Sequence, residues 1–177
     1  LAKRLTELLG PAESAHLIDK IIFVAVPQAG TPQAIGAILH GYDQGLPFDW
    51  FPLVITPETA RTFAENMPSA YNLLPSANYF TQVDNPVITI DHGPLLAPWR
   101  ARYGDTIHSK ELLHTLLTDQ AREVLPTNDV LKSPIIANET LLNNADNVQS
   151  TQLDNWTPPA GIELTEIAGW GEDTLKT

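Results

Sequence analysis

The hydrophobic pattern contains one continuous apolar run, and this run predicts a strand of a sheet. Residues 21–26 are six apolar residues in succession, most of them β-branched. Unbroken apolar strands are typical of parallel sheets that helices cover on both faces. A turn rich in Pro and Gly follows at residues 27–31, and Thr31-Pro32 then has the pattern of a helix start. The chain is therefore predicted to leave a buried strand, turn sharply and enter a helix.

Helical spacing and turn signals predict that most of the remaining chain is helical. Thr56-Pro57 and Ser109 have the pattern of helix N-caps. Helical spacing also places Phe63 on an inward face of its helix. The predicted helices are residues 1–9, 32–40 closed by Gly41, 57–74 with a restart at Pro68, 110–117 with an extension toward Leu125, and one that opens at Ser133-Pro134 and keeps its phase to Leu153. Two further strands are predicted at residues 86–90 and 162–168.

This order of elements predicts an α/β fold with a large insertion. A strand, a long and mostly helical stretch and a second strand are typical of a small parallel core that carries a cap. We expect residues 1–35 and 160–177 to form a partial core with few parallel strands, and residues 36–159 to form the helical cap. The helix of residues 1–9 begins without an N-cap. We therefore interpret the chain as an internal piece of a larger protein.

The turn after the first strand is the predicted ligand-contacting segment. Open α/β sheets bind ligands at the carboxyl ends of their strands, where this turn would lie. We therefore predict that Pro27, Gln28, Gly30 and Thr31 contact a substrate.

An aromatic segment adds three candidates to this list. Residues 42–54 lack a helical or strand period, yet they include Phe48, Trp50 and Phe51. Two interpretations stay open. The three rings pack in the interior of the cap, as large aromatic side chains usually do, or they form an apolar lid that contacts a lipid-like substrate.

Composition excludes several classes of partner and site. The formal net charge of −11 argues against nucleic acid as a partner and against electrostatic docking on anionic membranes. The absence of cysteine excludes a thiol nucleophile, a disulfide and a thiolate metal site. No apolar run approaches the roughly 20 residues of a membrane helix. We predict no cofactor, and the sequence leaves the cellular compartment undetermined.

No pattern in the sequence predicts a catalytic site or a metal site. No serine has the flanking glycines of a nucleophile elbow. Asp91-His92 has the composition of a polar turn, and the Asp105–His108 pair is too small a pattern to predict a metal site. Asp173 follows the last predicted strand and has two interpretations, a triad acid or a solvated turn. The sequence therefore predicts no catalytic and no metal-ligating residue.

Four segments together give the chain a family resemblance. They are Ile21–Ile35, Leu39–Gly41, Asn66–Ser76 and Ile167–Gly171. In combination they resemble the lecithin:cholesterol acyltransferase-like branch of the α/β-hydrolases, which includes bacterial lipases and esterases. The resemblance extends over nearly the whole chain. It implies an α/β-hydrolase core with a cap, and a parent protein that hydrolyses or transfers acyl groups from apolar esters.

The same resemblance implies that the catalytic residues lie outside this chain. Residues 1–9 resemble the helix that follows the nucleophilic serine, so the glycine-flanked elbow would lie just before Leu1. The family's acid and histidine follow the strand that residues 162–168 resemble, after a further excursion, so both would lie beyond Thr177. The donors of the oxyanion hole would also mostly lie upstream. The resemblance thus assigns no catalytic residue to any position here, Asp173 included.

Two functional hypotheses follow. In the first, the chain is the part of a serine lipase, esterase or acyltransferase that supplies the acyl-pocket wall and lid, and it is catalytically inactive alone. In the second, it is a non-catalytic module that binds a hydrophobic ligand or a protein segment on a hydrolase-like scaffold. In either case we expect self-association through unfinished sheet edges. The resemblance is compatible with a secreted or cell-surface bacterial parent.

Overall fold

A computed structural model describes residues 1–41, 56–125, 127, 129 and 132–169 of the chain. Helices predominate in this part, and short strands lie between them. In chain order the elements are α1 (Ala2–Leu9), α2 (Pro11–Leu17), β1 (Lys20–Val24), α3 (Gln33–His40), α4 (Pro57–Asn66), α5 (Pro68–Asn72), α6 (Ala77–Gln82), β2 (Ile88–Thr89), a 3-10 turn (Pro94–Leu96), α7 (Ala97–Tyr103), β3 (Thr106–Ile107), α8 (Lys110–Thr118), α9 (Glu139–Val148), a π-helical turn (Gln149–Leu153) and β4 (Glu163–Ile167).

Two small sheets make the fold mixed α/β. β1 and β4 pair in parallel, with a register that runs from Lys20 opposite Glu163 to Val24 opposite Ile167. The two strands that the sequence predicted at residues 21–26 and 162–168 are therefore confirmed, and they are parallel neighbours. β2 and β3 form a separate antiparallel pair of two residues each. The structure thus supports a partial α/β arrangement with a two-stranded parallel sheet.

The prediction that the first strand is buried on both faces is wrong for this chain. Ile21 is buried, whereas the side chains of Ile22 and Val24 are 54% and 61% exposed. On the covered face, Phe23 packs edge-on against Trp156 with ring centroids 6.2 Å apart. Within the described residues, nothing of comparable size covers the opposite face. The sequence of the run is uniformly apolar, but among the described residues only one face of β1 is covered by other side chains.

The main hydrophobic core lies among the helices of the predicted cap. It joins α3, α4 and α5 to α7, α8 and α9, with the β2–β3 pair at one side. Its most deeply buried side chains include Tyr71, Ile38, Ile107, Leu116 and Leu117. This core forms because α3 is apolar along almost its whole length and α8 presents leucines at helical spacing.

Two predicted helix starts are confirmed by their capping hydrogen bonds. The Thr59 N–H donates to the Thr56 side chain at 3.3 Å, and the Leu112 N–H donates to the Ser109 side chain at 3.2 Å. α3 ends as predicted at Gly41, which has the left-handed conformation common after helices. These boundaries depend only on residues within one helical turn.

The predicted helix at Ser133-Pro134 is wrong, and the structure gives the reason. The Arg122 guanidinium donates to the carbonyls of Pro134 and Ile135 at 2.9 and 2.5 Å, which holds this segment outside a helix. α9 begins at Glu139 instead, where the Asn138 side chain accepts a hydrogen bond from the Leu141 N–H. A distant side chain has overridden the local helix signal.

The predicted extension of α8 toward Leu125 is also wrong, because the helix ends at Thr118. The Asp119 carboxylate accepts a hydrogen bond from the Ala121 N–H at 2.9 Å, which forms a local turn. Arg102 and Tyr103 of α7 also donate to this carboxylate.

Among the helices described, none is both long and apolar enough to cross a membrane.

Candidate apolar ligand site

The turn after β1 is fixed by backbone hydrogen bonds to the segment that follows α5. The Thr31 N–H donates to the Leu73 carbonyl at 2.8 Å, and the Ser76 N–H donates to the Ala29 carbonyl at 2.9 Å. Within the turn, the Gly30 N–H donates to the Pro27 carbonyl at 3.1 Å. Two segments far apart in the sequence therefore form one unit beside the carboxyl end of β1.

Gly30 is required at this junction for two reasons. Its φ of +91° lies in the region that glycine favours. A Cβ added to Gly30 would lie 2.6 Å from the Leu74 carbonyl carbon and 2.9 Å from Pro75 Cα. Both are backbone atoms, which cannot turn aside as a flexible side chain can. Glycine thus allows the closest approach of the turn to the Leu74-Pro75 backbone.

A buried glutamine supports the same junction and was missed by the sequence analysis. Gln149 is 3% exposed, and its Nε2 donates to the carbonyls of Leu74 and Asn72 at 2.8 and 3.3 Å. Gln149 lies at the start of the π-helical turn after α9. The apolar helical spacing of the sequence continues past the end of α9 to Leu153. The position of Gln149 within this spacing is the only sequence signal that could have indicated an inward-facing glutamine.

An apolar groove of about 570 Å³ lies between α3, α4 and α5. Its volume falls within the range of small-molecule sites in proteins. Small side chains from facing helices leave this space open, and larger apolar side chains form its margins. The lining residues are Thr31, Gln33, Ala34, Ala37, Ala60, Phe63, Ala64, Met67, Ser69, Ala70 and Leu73. The predicted contact residue Thr31 is therefore part of this groove.

The prediction for Phe63 needs correction. Its helical spacing placed it inward with Ala60 and Ala64, which are buried, but the Phe63 side chain is 55% exposed. It stands at the margin of the groove instead of inside the core. Met67 and Leu73 are also exposed apolar residues in the lining. Exposed apolar side chains around a groove are typical of a surface that contacts an apolar ligand.

Gln28 lies in a second and more polar cleft of about 400 Å³. Its Nε2 donates to Glu166 Oε1 at 2.5 Å. Lys3 also lines this cleft, where its Nζ donates to the Leu153 carbonyl at 3.1 Å and lies 5.6 Å from the Trp156 ring centroid. Burial lowers the pKa of Lys3, while Asp154 and Glu166 act in the opposite direction.

The structure therefore separates the residues that the sequence grouped together. Thr31 lines the apolar groove and Gln28 lines the polar cleft, while Pro27 and Gly30 line neither of these two cavities. Pro27 and Gly30 instead shape the turn through their mutual hydrogen bond. The turn therefore has two sides, with Gln28 and Ala29 toward the polar cleft and Thr31 toward the apolar groove.

Several predicted candidates cannot be placed. Phe48, Trp50 and Phe51 of the aromatic segment lie outside the described residues, as does Asp173. The part of the chain that is described contains no group of three His, Cys, Asp or Glu side chains with metal-binding geometry. Asp105 instead lies 3.9 Å from the Arg100 guanidinium.

Comparison with known proteins finds no matching family model, no matching curated relative and no matching solved structure. The interpretation of the site therefore depends on its geometry and on the motifs of the sequence. The geometry offers an apolar groove with neutral polar groups, next to a glycine-dependent turn at the end of a parallel strand.

Proposed function

We propose that this chain supplies the acyl-binding wall and cover of a serine lipase, esterase or acyltransferase that acts on apolar, lipid-like esters. The apolar groove between α3, α4 and α5 is the observation that carries the proposal. One margin of the groove is Thr31, in the turn that follows β1. Ligands of α/β sheets bind at this end of the strands, and the position of the groove there supports its proposed role in binding an acyl chain.

The groove contributes to such a reaction by excluding water from the acyl chain. In a serine hydrolase, the serine attacks the ester carbonyl, the histidine transfers the proton and the acid orients the histidine. The sequence contains no glycine-flanked serine. In this proposal the nucleophile therefore comes from outside the chain, and the chain alone binds an ester without hydrolysing it.

The binding part of the proposal is tested with methyl octanoate, which displaces a fluorescent alkyl probe from the groove. Phe63→Gln removes an exposed apolar margin, so the fold is retained while ligand contact is lost. We expect roughly tenfold weaker binding of methyl octanoate, about 1.4 kcal/mol. Leu95→Gln is the matched control, because Leu95 is 64% exposed and lies outside the groove lining. Equal affinities in the two variants would refute the site.

A non-catalytic binding module is the second candidate function. It is supported by the absence of a glycine-flanked serine from the sequence and by the groove, whose lining in the described residues comes from positions between Thr31 and Leu73. The residues encoded immediately before Leu1 distinguish the two candidates, because Gly-His-Ser-x-Gly-Gly there supports the enzyme. The full gene product is then assayed on short and long acyl esters with a serine-directed inhibitor. Inhibitor-sensitive turnover supports the enzyme, and ligand binding without turnover supports the module.

The proposal also includes self-association of the chain through its parallel sheet. In the described residues, β1 and β4 each pair on one side only. Ile22, Val24 and Ile167 are exposed apolar side chains on these two strands. Free strand edges with apolar side chains are prone to pair with another chain. This part is tested by a substitution at Ile22 that is described in the Discussion.

A further inference from the structure

We propose that the apolar groove selects an uncharged amphiphile, an ester or alcohol with a single alkyl chain, and discriminates against the corresponding carboxylate. This inference rests on the proposed function and specifies its ligand. The polar end of the ligand lies beside Thr31, and its alkyl chain runs along α3 and α4. In an ester hydrolase, such selectivity would retain the ester and release the acid product.

The direction of the groove follows from how α3 and α4 meet. Gly41, at the end of α3, is packed so closely that an added Cβ would lie 2.9 Å from the carbonyl carbon of Pro57, at the start of α4. Thr31, before α3, bonds to Leu73, after α5. α4 therefore runs back along α3, and the groove between them extends about 10 Å from Ala60 to Met67 at 1.5 Å per residue.

The two ends of this groove differ in polarity. Thr31, Gln33 and Ser69 gather at the end where the turn meets α5, and they provide hydroxyl and carboxamide groups. Ala37 and Ala60 line the other end, next to the junction of Gly41 and Pro57. Hydroxyl and amide groups can donate to an ester carbonyl or exchange hydrogen bonds with an alcohol. The ligand that matches this pattern has one polar end and one apolar chain.

No lining residue within the described part of the chain carries a charge. The cation of α4, Arg61, donates to the Ser133 carbonyl at 3.3 Å and is not among the lining residues. The whole chain has 10 Lys and Arg against 21 Asp and Glu, which adds a repulsive background. A carboxylate in the groove would therefore lose water without gaining an ionic partner, and this loss is unfavourable.

The N-terminus of α3 lies at this end of the groove, and its helix dipole would attract an anion. Its first backbone donors are already used, however. The Gln33 N–H donates to Thr31 Oγ1 at 3.3 Å, the Ala34 N–H to the Thr31 carbonyl at 3.2 Å and the Ile35 N–H to the Pro32 carbonyl at 2.9 Å. Only the screened dipole remains, and its attraction is weaker than the cost of desolvating an unpaired carboxylate.

The test compares methyl octanoate, octanol and octanoate as competitors for the fluorescent alkyl probe at pH 8. We expect octanoate to bind at least ~10-fold more weakly than the ester. Gln33→Lys places a cation at an exposed position of the polar end. It is expected to raise the affinity for octanoate, relative to that for the ester, at least ~5-fold.

Gln120→Lys is the matched control, since Gln120 is exposed and lies outside the groove lining. It changes the net charge by the same amount as Gln33→Lys and should change the affinity for neither octanoate nor the ester. If octanoate bound as tightly as the ester, the inference would be overturned and the proposed function would stand. The same conclusion would follow if Gln33→Lys and Gln120→Lys increased the affinity for octanoate equally. Failure of all three ligands to displace the probe would overturn both.

Discussion

Gly30→Ala should destabilise the protein strongly, because it combines backbone strain with a collision between the added methyl group and neighbouring backbone atoms. A non-glycine residue at a φ of +91° costs on the order of 1–3 kcal/mol. The added methyl group would also lie 2.6 Å from the Leu74 carbonyl carbon and 2.9 Å from Pro75 Cα. Overpacking of this kind adds about 1–3 kcal/mol. We expect a total loss of about 2–6 kcal/mol in the free energy of unfolding.

Substitutions at two other glycines separate the contribution of backbone strain from that of the collision. Gly104 has a φ of +84° but nothing within 4 Å of an added Cβ, so Gly104→Ala should cost only the strain of about 1–3 kcal/mol. Gly93 has an ordinary φ of −55° and the same open surroundings. Gly93→Ala should therefore be neutral or stabilise by up to about 1 kcal/mol, through the reduced entropy of the unfolded chain.

Urea unfolding of the three variants is the assay, with methyl octanoate displacement as a second measurement. Moving the turn away from Leu73 and Leu74 would displace Thr31 from the groove. Gly30→Ala should therefore also weaken ligand binding under conditions where it remains folded, and Gly104→Ala should not. Equal unfolding free energies for Gly30→Ala and Gly104→Ala would refute the close approach of the turn to this segment.

Four further predictions concern other parts of the structure. Gln149→Ala should lower the free energy of unfolding by about 1–3 kcal/mol, because two carbonyls lose their buried donor. Ser76→Ala should be neutral or slightly stabilising in the same urea titration, since Ser76 Oγ is buried without a hydrogen-bond partner in the described residues. Ile22→Lys should shift the chain from larger species to monomer in size-exclusion chromatography without lowering its stability, and an unchanged profile would contradict self-association through this sheet. Hydrogen bonds from Arg102 lower the pKa of Asp119 to about 2. Because the pKa of Asp119 in the folded state lies below the unfolded value of about 3.9, the ionised carboxylate stabilises the folded state at pH values above the unfolded pKa. This stabilisation is lost as the pH falls toward 2. The stability difference between the wild type and Asp119→Asn should therefore shrink over that window, and a constant difference would contradict this assignment.

Short-range signals in the sequence predicted several boundaries correctly. Thr56 and Ser109 were predicted as caps, and each accepts a hydrogen bond from the N–H three residues later. The strand at residues 20–24 followed from the apolar run at residues 21–26, and the strand predicted at residues 162–168 lies at residues 163–167. The two caps were predictable because the donor and the acceptor lie three residues apart in each, whereas the pairing of the two strands joins distant parts of the chain.

Longer-range contacts explain the predictions that failed. Ser133-Pro134 has the same local signal as Thr56-Pro57, but the guanidinium of Arg122 bonds to the carbonyls that a helix would use. The apolar run of β1 could not show that one face of the strand remains open. Gln149 carries no local pattern that connects it to the carbonyl of Leu74. Each outcome depends on a partner that sequence spacing does not identify.

The sequence by itself determined the helix starts at Thr56 and Ser109, the end of α3 at Gly41, the two strands of the parallel sheet, and a net charge that disfavours anionic partners. Only the tertiary structure decided that Thr31 joins an apolar groove while Gln28, three residues earlier, joins a polar cleft. The alanines of α3 and α4 were visible in the sequence, but their facing one another was not. The physical reason is that a groove is the space between elements, and that space is set by contacts such as Gly41 against Pro57 and Gly30 against Leu74.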